Sequence, residues 1–277
     1  MKVSVIVAVY KDIEALNLIF KSLEKQTYMN FEVVVAEDGN SEMMTKAIEL
    51  AKQEYSFDII HTTQEDSGVR KSRSQNQGIK ASSGEYLIFI DGDCLLYSNF
   101  IENHLALSGK KKIITGRRVN LGPKYSALLR TESISSSWLE KNFVRKYFDI
   151  KEDAKRERHS EEGFRVKANG FIDRTIKKLR KKEFPMLGCN MSFYKTAMLE
   201  INGFDEGLGN SSMASDTDLA WRFRGVGYKI VSARFVCNEF HLYHTRSPGD
   251  YDRALDLKML ANQEKNLYRC RNGIKKI

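Results

Sequence analysis

The stretch that decides the fold is Tyr86-Leu87-Ile88-Phe89-Ile90-Asp91-Gly92-Asp93. Five apolar and aromatic residues run without a break into two carboxylates separated by one glycine. This pattern is typical of a buried strand whose end opens into a polar site. Two carboxylates beside an apolar core need a compensating cation, and oxygen ligands favour a hard divalent ion that also holds phosphates. The stretch therefore predicts a Mg²⁺ or Mn²⁺ site at Asp91 and Asp93.

The Asp-Gly pair in this stretch is also a strong signal for a type I′ hairpin turn. A hairpin needs a second strand in which polar and apolar residues alternate, and residues 94–98 do not alternate. We therefore prefer the metal-carboxylate interpretation.

The rest of the first half alternates between strand and helix patterns. Residues 3–10 are an apolar run rich in β-branched side chains, as in a strand that is buried on both faces. Asp12 is a candidate N-cap for the helix that follows, and residues 31–36 predict the next strand. Together with residues 57–61 and 112–116, these patterns predict a Rossmann-like α/β fold with a mostly parallel central sheet and flanking helices.

Two polar segments follow strands in this half. Residues 37–41 lie at a carboxyl end, where open α/β sheets bind ligands. Residues 68–80 predict a helix that begins after a glycine, and the free N–H groups of its first turn favour a diphosphate contact. We assign Arg70, nearest the glycine, to that contact, and we interpret Lys71 and Lys80 as part of a solvated helix face.

The positive charge is concentrated in one segment of the 277 residues, whose net charge is +9. Between residues 141 and 185, fifteen Lys and Arg stand against eight Asp and Glu, so most of the excess lies there. The segment contains a basic block at residues 177–182, and apolar residues fall at helical spacing on one side of it, at Phe171, Ile172, Ile176 and Leu179. That pattern is typical of a basic amphipathic helix on an anionic surface or of an ordinary surface helix packed on its own domain, and both interpretations stay open.

Cysteine usage and hydropathy point to a cytoplasmic chain. The four cysteines are widely spaced without a CxxC pair, which argues against a structural zinc site and gives no disulfide pattern. We expect no signal peptide and no membrane span, because no apolar run approaches about 20 residues. Any membrane contact is expected to be peripheral, on the inner face of the plasma membrane.

The last third carries further candidate residues. Asp216 precedes a helix pattern and is an N-cap or a functional carboxylate. His241 and His244 lie three residues apart, and two histidines beside a candidate carboxylate-metal site are less easily explained as structural.

Together these features resemble the inverting nucleotide-sugar glycosyltransferases of the large bacterial family 2 type, which have the GT-A fold. The C-terminal region resembles that of the galactosyltransferase and chondroitin-polymerase type. The resemblance covers most of the chain, and its markers are residues 3–10, 37–40, 68–78, 90–93, 188–192, 203–205 and 215–222. We expect one catalytic domain over residues 1–277, with a donor half (1–120), a basic helical insertion (121–185) and an acceptor half (186–277).

The resemblance implies roles for the acidic residues and histidines. Asp38 is expected to hydrogen-bond the nucleotide base, and Asp91 to contact the ribose or a metal-bound water. Asp93 is expected to bind Mn²⁺ or Mg²⁺, with His244 completing the metal shell and His241 as the alternative ligand.

The resemblance also implies a catalytic base. Asp216 is expected to deprotonate the acceptor hydroxyl, although the family commonly has Glu before this Asp and this chain has Ser215. We assign further donor-binding roles to Val9, Arg70, Asn76 and Gly92. We assign acceptor-binding roles to Asn190, Asp218 and Trp221.

The predicted function is metal-dependent, inverting transfer of a sugar from a nucleotide donor, a UDP-hexose or UDP-HexNAc, to a glycan or polyprenyl-linked acceptor in surface polysaccharide synthesis. One alternative is a sugar-nucleotide nucleotidyltransferase, but residues 8–12 lack the glycine-rich loop of that class. A nucleic-acid-binding protein is the other, but the basic segment has few interleaved aromatics and lies apart from the carboxylates. We therefore expect no nucleic acid partner. The oligomeric state is not predicted.

Overall fold

The structure is a computed structural model that describes residues 1–155, 159–179, 185–209, 216–245 and 252–276. Ser215 and residues 180–182 of the basic block lie outside the described residues. Within the described residues, ten strands form two sheets: β1 (Val3–Val9), β2 (Phe31–Glu37), β3 (Asp58–Thr62), β4 (Tyr86–Asp91), β5 (Cys94–Leu96), β6 (Lys112–Thr115), β7 (Arg117–Asn120), β8 (Asn190–Tyr194), β9 (Lys229–Ser232) and β10 (Asn238–His241).

The helices in the described part of the chain cover both faces of the larger sheet. They are α1 (Ile13–Glu24), α2 (Glu42–Glu54), α3 (Lys71–Ala81), α4 (Phe100–Leu107), α5 (Pro123–Arg130), α6 (Ser136–Ala154), α7 (Phe171–Leu179), α8 (Lys195–Ile201), α9 (Asp216–Gly225) and α10 (Arg253–Glu264). Two 3₁₀ turns occupy Ser160–Gly163 and Glu206–Leu208. None of the described helices combines the length and the apolar character that a membrane span requires.

The larger sheet has seven strands in the order β3-β2-β1-β4-β8-β6-β9. All neighbouring strands are parallel except β8, which runs antiparallel to both β4 and β6. The predicted α/β fold with a mostly parallel sheet is therefore confirmed.

Strand β1 explains why both sheet faces are buried. Val3, Val5 and Val7 belong to one core cluster, whereas Ile6 belongs to the cluster on the opposite face. Because successive side chains of a strand point to opposite faces, an unbroken apolar run fills both clusters. The loop after β1 enters α1 at Asp12, whose carboxylate accepts the Ala15 N–H as the predicted N-cap.

The carboxyl ends of the three central strands lie level with one another. In the strand register, Ala8 pairs with Ala36 on one side and with Asp91 on the other, and Val9 pairs with Glu37. The strand order reverses between β1 and β4, since β2 and β3 extend the sheet on one side of β1 and β4 starts the other. Such a switch point leaves a crevice at the carboxyl ends of the strands.

The second sheet, ordered β5-β10-β7, brings the late part of the chain to this crevice. Its middle strand β10 places His241 opposite Cys94, and the next N–H, of Leu242, donates to the Asp93 carbonyl at 3.0 Å. Strand β5 pairs with β10 and lies in a different sheet from β4. The hairpin alternative for the Asp-Gly pair is therefore excluded.

Helices α5 and α6 of the predicted basic helical insertion (residues 121–185) pack on the main core. Leu139, Phe143 and Ile150 of α6 are buried in the same cluster as β1, as are Tyr125 and Leu129 of α5. The division of the chain into donor half, insertion and acceptor half stays a prediction.

Candidate active site

A cavity of about 560 Å³ lies at the switch point. Its walls come from the ends of β1, β2 and β4, the start of α3, the end of α5 and the segment after β10. The lining residues are Ala8, Val9, Tyr10, Asp12, Asp38, Asp66, Gly68, Val69, Lys71, Asp91, Gly92, Asp93, Arg130 and His244. The size suits a nucleotide-sized ligand.

Asp38 is held rigidly at one end of this cavity. Its backbone N–H donates to the Val9 carbonyl at 2.9 Å, which continues the alignment of β1 and β2. Its carboxylate accepts the Gln64 side-chain amide and, at 2.8 Å, the backbone N–H of Arg70. Asp38 and Val9, both predicted donor-binding residues, therefore lie side by side on the cavity wall.

Asp91, at the end of β4, faces two cations. The Lys71 ammonium donates to Asp91 Oδ1, and the Arg118 guanidinium lies 3.9 Å from Oδ2. Burial opposes the charge of Lys71, but the neighbouring Asp91 carboxylate and its hydrogen bond raise the Lys71 pKa. Lys71 therefore supplies a cation at this end of the cavity, which suits phosphate groups.

Asp93 faces two histidines from the distant end of the chain. Its Oδ2 lies 3.1 Å from His241 Nε2 and 3.5 Å from His244 Nε2. Burial alone raises the Asp93 pKa, but the His241 hydrogen bond and the charges of Arg118 and His244 outweigh it and lower the pKa to about 2. The carboxylate is ionised at neutral pH.

The side chains of Asp93, His241 and His244 together fit a divalent ion. One carboxylate and two imidazoles form a donor set that Mn²⁺ accepts, and the ligand atoms all lie within 4.8 Å of one another. His244 is half exposed and lines the cavity, whereas His241 is buried. The geometry thus accommodates both predicted histidines rather than choosing between them.

Gly92 sits where no larger residue fits. A Cβ atom on this residue would lie 2.9 Å from the Ala8 carbonyl oxygen and 3.1 Å from Val9 Cγ1. The turn between Asp91 and Asp93 can therefore lie directly against the end of β1.

A buried polar cluster supports the turn from behind. The Cys189 thiol donates to the Glu239 carboxyl at 3.4 Å, and Cys94 lies close to both. Burial raises the pKa of the Cys94 thiol and of the Glu239 carboxyl well above their ordinary values, which favours the neutral form of both groups. Two of the widely spaced cysteines, Cys94 and Cys189, are thus brought together as buried, free thiols.

The sequence profile described as Glycosyl transferase family 2 matches residues 4–180, which is more than half of the chain. The matched region contains the cavity residues from β1, β2, α3, β4 and α5. This chain belongs to glycosyl transferase family 2. The predicted family is therefore confirmed.

Relatives and solved structures agree with this assignment. A glycosyltransferase of Rickettsia bellii is 31% identical over 140 residues, which are 49% of this chain and 20% of that protein. The chain thus spans about a fifth of that relative's length. The mannosyltransferase PcManGT of Pyrobaculum calidifontis, solved with GDP-Man and Mn²⁺, has a TM-score of 0.56 at 13% identity and covers 88% of this chain and 58% of its own. TarS 1-349 of S. aureus with UDP has a TM-score of 0.54 at 16% identity and covers 95% and 70%. At these identities the structures show a shared fold.

Two predicted donor-binding residues of this family 2 chain are placed differently from the prediction. Arg70 supplies its backbone N–H to Asp38, but its guanidinium donates to the Glu65 carbonyl and lines a second cleft. Asn76 is fully buried, and its amide bonds the backbone of Phe204 in both directions at 2.9 Å. Asn76 therefore anchors the loop after α8 rather than the donor, because its polar atoms are already bonded within the chain.

The predicted acceptor-binding residues are also mostly structural. Asp218 is buried and bonds Arg222 at 2.6 Å, one turn along α9. The Asn190 amide is buried and donates to the carbonyls of Arg117 and Cys237. Trp221 packs on Tyr268 with ring centroids 5.0 Å apart. Since Asp218 and Asn190 are covered by the chain's own groups, the acceptor roles assigned to them are corrected.

Asp216, the predicted base, is the first residue of α9. Its carboxylate accepts the N–H of Gly188 at 3.4 Å. The next residue, Cys189, contacts Arg118 at 3.7 Å, and Arg118 in turn approaches Asp91. Asp216 is thus connected to Asp91 through this series of contacts but does not itself line the cavity, and its role as the base stays a prediction.

The roles of three cations near the site are not predicted from the sequence. Lys71, which we interpret from sequence as a solvated helix residue, lines the cavity and pairs with Asp91, so that interpretation is wrong. Its position one turn before the buried Gln75 on α3 is the signal that places it toward the sheet. Arg118 lies in β7 of the second sheet and approaches Asp91 from there. Arg130 lines the cavity and pairs with Asp12 at 2.7 Å, and no sequence pattern connects those two residues.

Proposed function

We propose that this chain transfers a sugar from a nucleotide-sugar donor, a UDP-hexose or UDP-HexNAc, to a hydroxyl of an acceptor, with inversion at the anomeric carbon. The observation that carries the proposal is the convergence of Asp38, Asp91 and Asp93 in one cavity with the two histidines beside Asp93.

The cavity residues divide between the two ends of the donor. Asp38, fixed by Gln64 and the Arg70 N–H, is suited to accept a hydrogen bond from the nucleotide base. At the other end, Lys71 stands where the diphosphate would lie against the start of α3. Asp93, His241 and His244 would hold Mn²⁺ or Mg²⁺, which supplies Lewis-acid stabilisation of the departing diphosphate.

Asp216 is the proposed base. Its carboxylate takes the proton of the acceptor hydroxyl, the acceptor oxygen forms a bond to the anomeric carbon, and the bond from that carbon to the diphosphate oxygen breaks. The electron pair of the broken bond leaves with the nucleoside diphosphate. A single displacement of this kind inverts the anomeric configuration.

The proposed acceptor is a glycan or a polyprenyl-linked saccharide of surface polysaccharide synthesis. Its support is the resemblance of the C-terminal region to polymerising and galactose-transferring enzymes. A polyprenyl-linked acceptor lies at a membrane surface, so the proposal includes peripheral contact with an anionic membrane.

A donor panel tests the proposed function. Wild type, Asp93→Ala and Asp216→Asn are assayed with nucleotide sugars and Mn²⁺, and Asp58→Asn, an exposed carboxylate on β3, is the matched control. We expect one donor to be turned over, Asp93→Ala to abolish donor binding and turnover, and Asp216→Asn to bind donor while transfer falls by about 10² to 10⁴. Failure of every nucleotide sugar to bind with any divalent ion would overturn the proposal.

A further inference from the structure

Helix α7 presents its apolar side away from the protein. The side chains of Phe171, Ile172 and Leu179 are 85%, 59% and 74% exposed. At 100° per residue, these three positions fall within one sector of the helix, about 100° wide. An ordinary surface helix turns such a stripe toward its own core, so the interpretation of α7 as a helix packed on its own domain by this side is wrong.

The polar side of the same helix faces the protein. Asp173 is only 3% exposed, and its carboxylate accepts the Asn169 N–H at 2.9 Å and the Lys177 ammonium at 2.8 Å. Asn169 also donates to the Ala106 carbonyl at 2.7 Å, which fixes the start of α7 against the end of α4. The outward direction of the apolar side is therefore set by bonded polar contacts on the opposite side.

Cations flank the exposed apolar side. Arg174 and Lys178 are exposed and lie one turn apart along one edge of the stripe. An apolar stripe bordered by positive charge complements an anionic bilayer, where the apolar groups enter the acyl boundary and the cations meet the headgroups. A second copy of this chain would bring like charges together, which disfavours self-association through this face.

We propose that the α7 face formed by Phe171, Ile172, Leu179, Arg174 and Lys178 docks this domain on an anionic membrane. The docking holds the domain in the interface plane, without a membrane span. Docking needs no donor and no metal, and only the lipid-linked acceptor rests on the proposed function. The two proposals can therefore fail separately.

Vesicle co-sedimentation of the whole chain tests the docking face. We expect wild type to sediment with phosphatidylglycerol-phosphatidylcholine vesicles and to stay in solution with phosphatidylcholine alone. Replacing Phe171, Ile172 and Leu179 by Ser, or Arg174 and Lys178 by Glu, should each lower the vesicle-bound partition coefficient by about tenfold or more, because each removes one of the two attractions.

A matched control comes from α2, which exposes Met43, Lys46 and Leu50 at similar helical spacing. The variant with Met43→Ser, Lys46→Glu and Leu50→Ser should bind vesicles like wild type, and the thermal midpoints of all variants should agree. Equal loss in the α2 variant, or unchanged binding of both α7 variants, would overturn the proposal. So would a wild-type dimer by light scattering that the α7 substitutions dissociate, because the face would then be covered by a second copy.

Discussion

Asp93 and Asp218 are two carboxylates that are largely covered from solvent, and their neighbouring groups are very different. Asp218 is bonded by Arg222, which lies one turn along its own helix, donates from Nε to Asp218 Oδ2 at 2.7 Å and brings a second guanidinium nitrogen to 2.6 Å from the same oxygen. Arg222 also donates to the carbonyls of Ile201 and Gly203. Asp93 instead faces two imidazoles on one side and an open cavity on the other.

The pKa values follow this difference. Burial is the largest effect on both groups and raises both pKa values. At Asp93 the surrounding imidazoles and Arg118 outweigh burial, and the pKa falls to about 2. At Asp218 the Arg222 charge does not outweigh burial, and the pKa stays raised. We therefore expect a motif carboxylate to act on ligands when it faces a cavity, and to stabilise the fold when a buried arginine of its own helix bonds it.

Exchanging the two carboxylates for amides gives the largest expected effects. Asp93→Asn should lower sugar transfer by about 1,000-fold while the free energy of unfolding stays within about 1 kcal/mol of wild type. Asp218→Asn should cost about 3–5 kcal/mol of stability, because Arg222 loses the charge that compensates its burial. Urea unfolding and donor turnover on the same preparations separate the two.

The KM for the donor serves as the control for this pair of variants. The folded fraction of Asp218→Asn should keep the wild-type KM for the donor, since Asp218 does not line the cavity. If Asp218→Asn instead raises that KM at low urea without lowering the unfolding midpoint, Asp218 belongs to the ligand site and the distinction drawn here is wrong.

The larger sheet and the acidic residues at its cavity edge are predicted well from the sequence. Unbroken apolar runs at β1, β2 and β4 identify strands buried on both faces, and parallel strands place Asp38, Asp91 and Asp93 at one edge. The remote partners are harder to predict. His241 reaches Asp93 through β10, whose partners β5 and β7 are over 100 residues away along the chain. Sequence spacing does not encode which short strands pair in a second sheet.

The errors concern which polar side chains are already bonded. Asn76 and Asp218 have the residue types of a ligand site, and only the packing of the 203–206 loop and of α9 shows that their atoms are bonded. Arg70 and Lys71 are neighbours, but Arg70 precedes α3 with non-helical backbone angles and Lys71 is the first helical residue. The Lys71 side chain therefore reaches Asp91, whereas that of Arg70 reaches the Glu65 carbonyl.

Substitutions of Arg70 and Lys71 test the edge of the cavity where the diphosphate would lie, and their expected effects are smaller. Lys71→Met should raise the KM for the donor about tenfold or more, equivalent to about 1.4 kcal/mol, because Asp91 loses its neutralising cation where the diphosphate would lie. Arg70→Met is the matched control and should change the KM less than threefold, since the Arg70 contact to Asp38 comes from the backbone. A larger effect from Arg70→Met than from Lys71→Met would restore the diphosphate role first assigned to Arg70.

The smallest expected effect is on the pH dependence of stability and comes from the buried His104. Unlike Asp93 and Asp218, it has a neutral hydrogen-bond partner. His104 Nδ1 lies 2.7 Å from the Ser192 hydroxyl, and burial lowers the His104 pKa from 6.5 to about 3. Below pH 6.5 the unfolded chain binds a proton that the folded chain excludes, so stability falls as the pH decreases, by about 1.4 kcal/mol per pH unit at most. Urea unfolding between pH 7 and about pH 5.5 measures this slope. Because glutamine does not titrate, the stability of His104→Gln should depend less steeply on pH, by about that 1.4 kcal/mol per pH unit at most, even if the variant is less stable overall. An equal slope in both proteins would mean that His104 is protonated in the folded state.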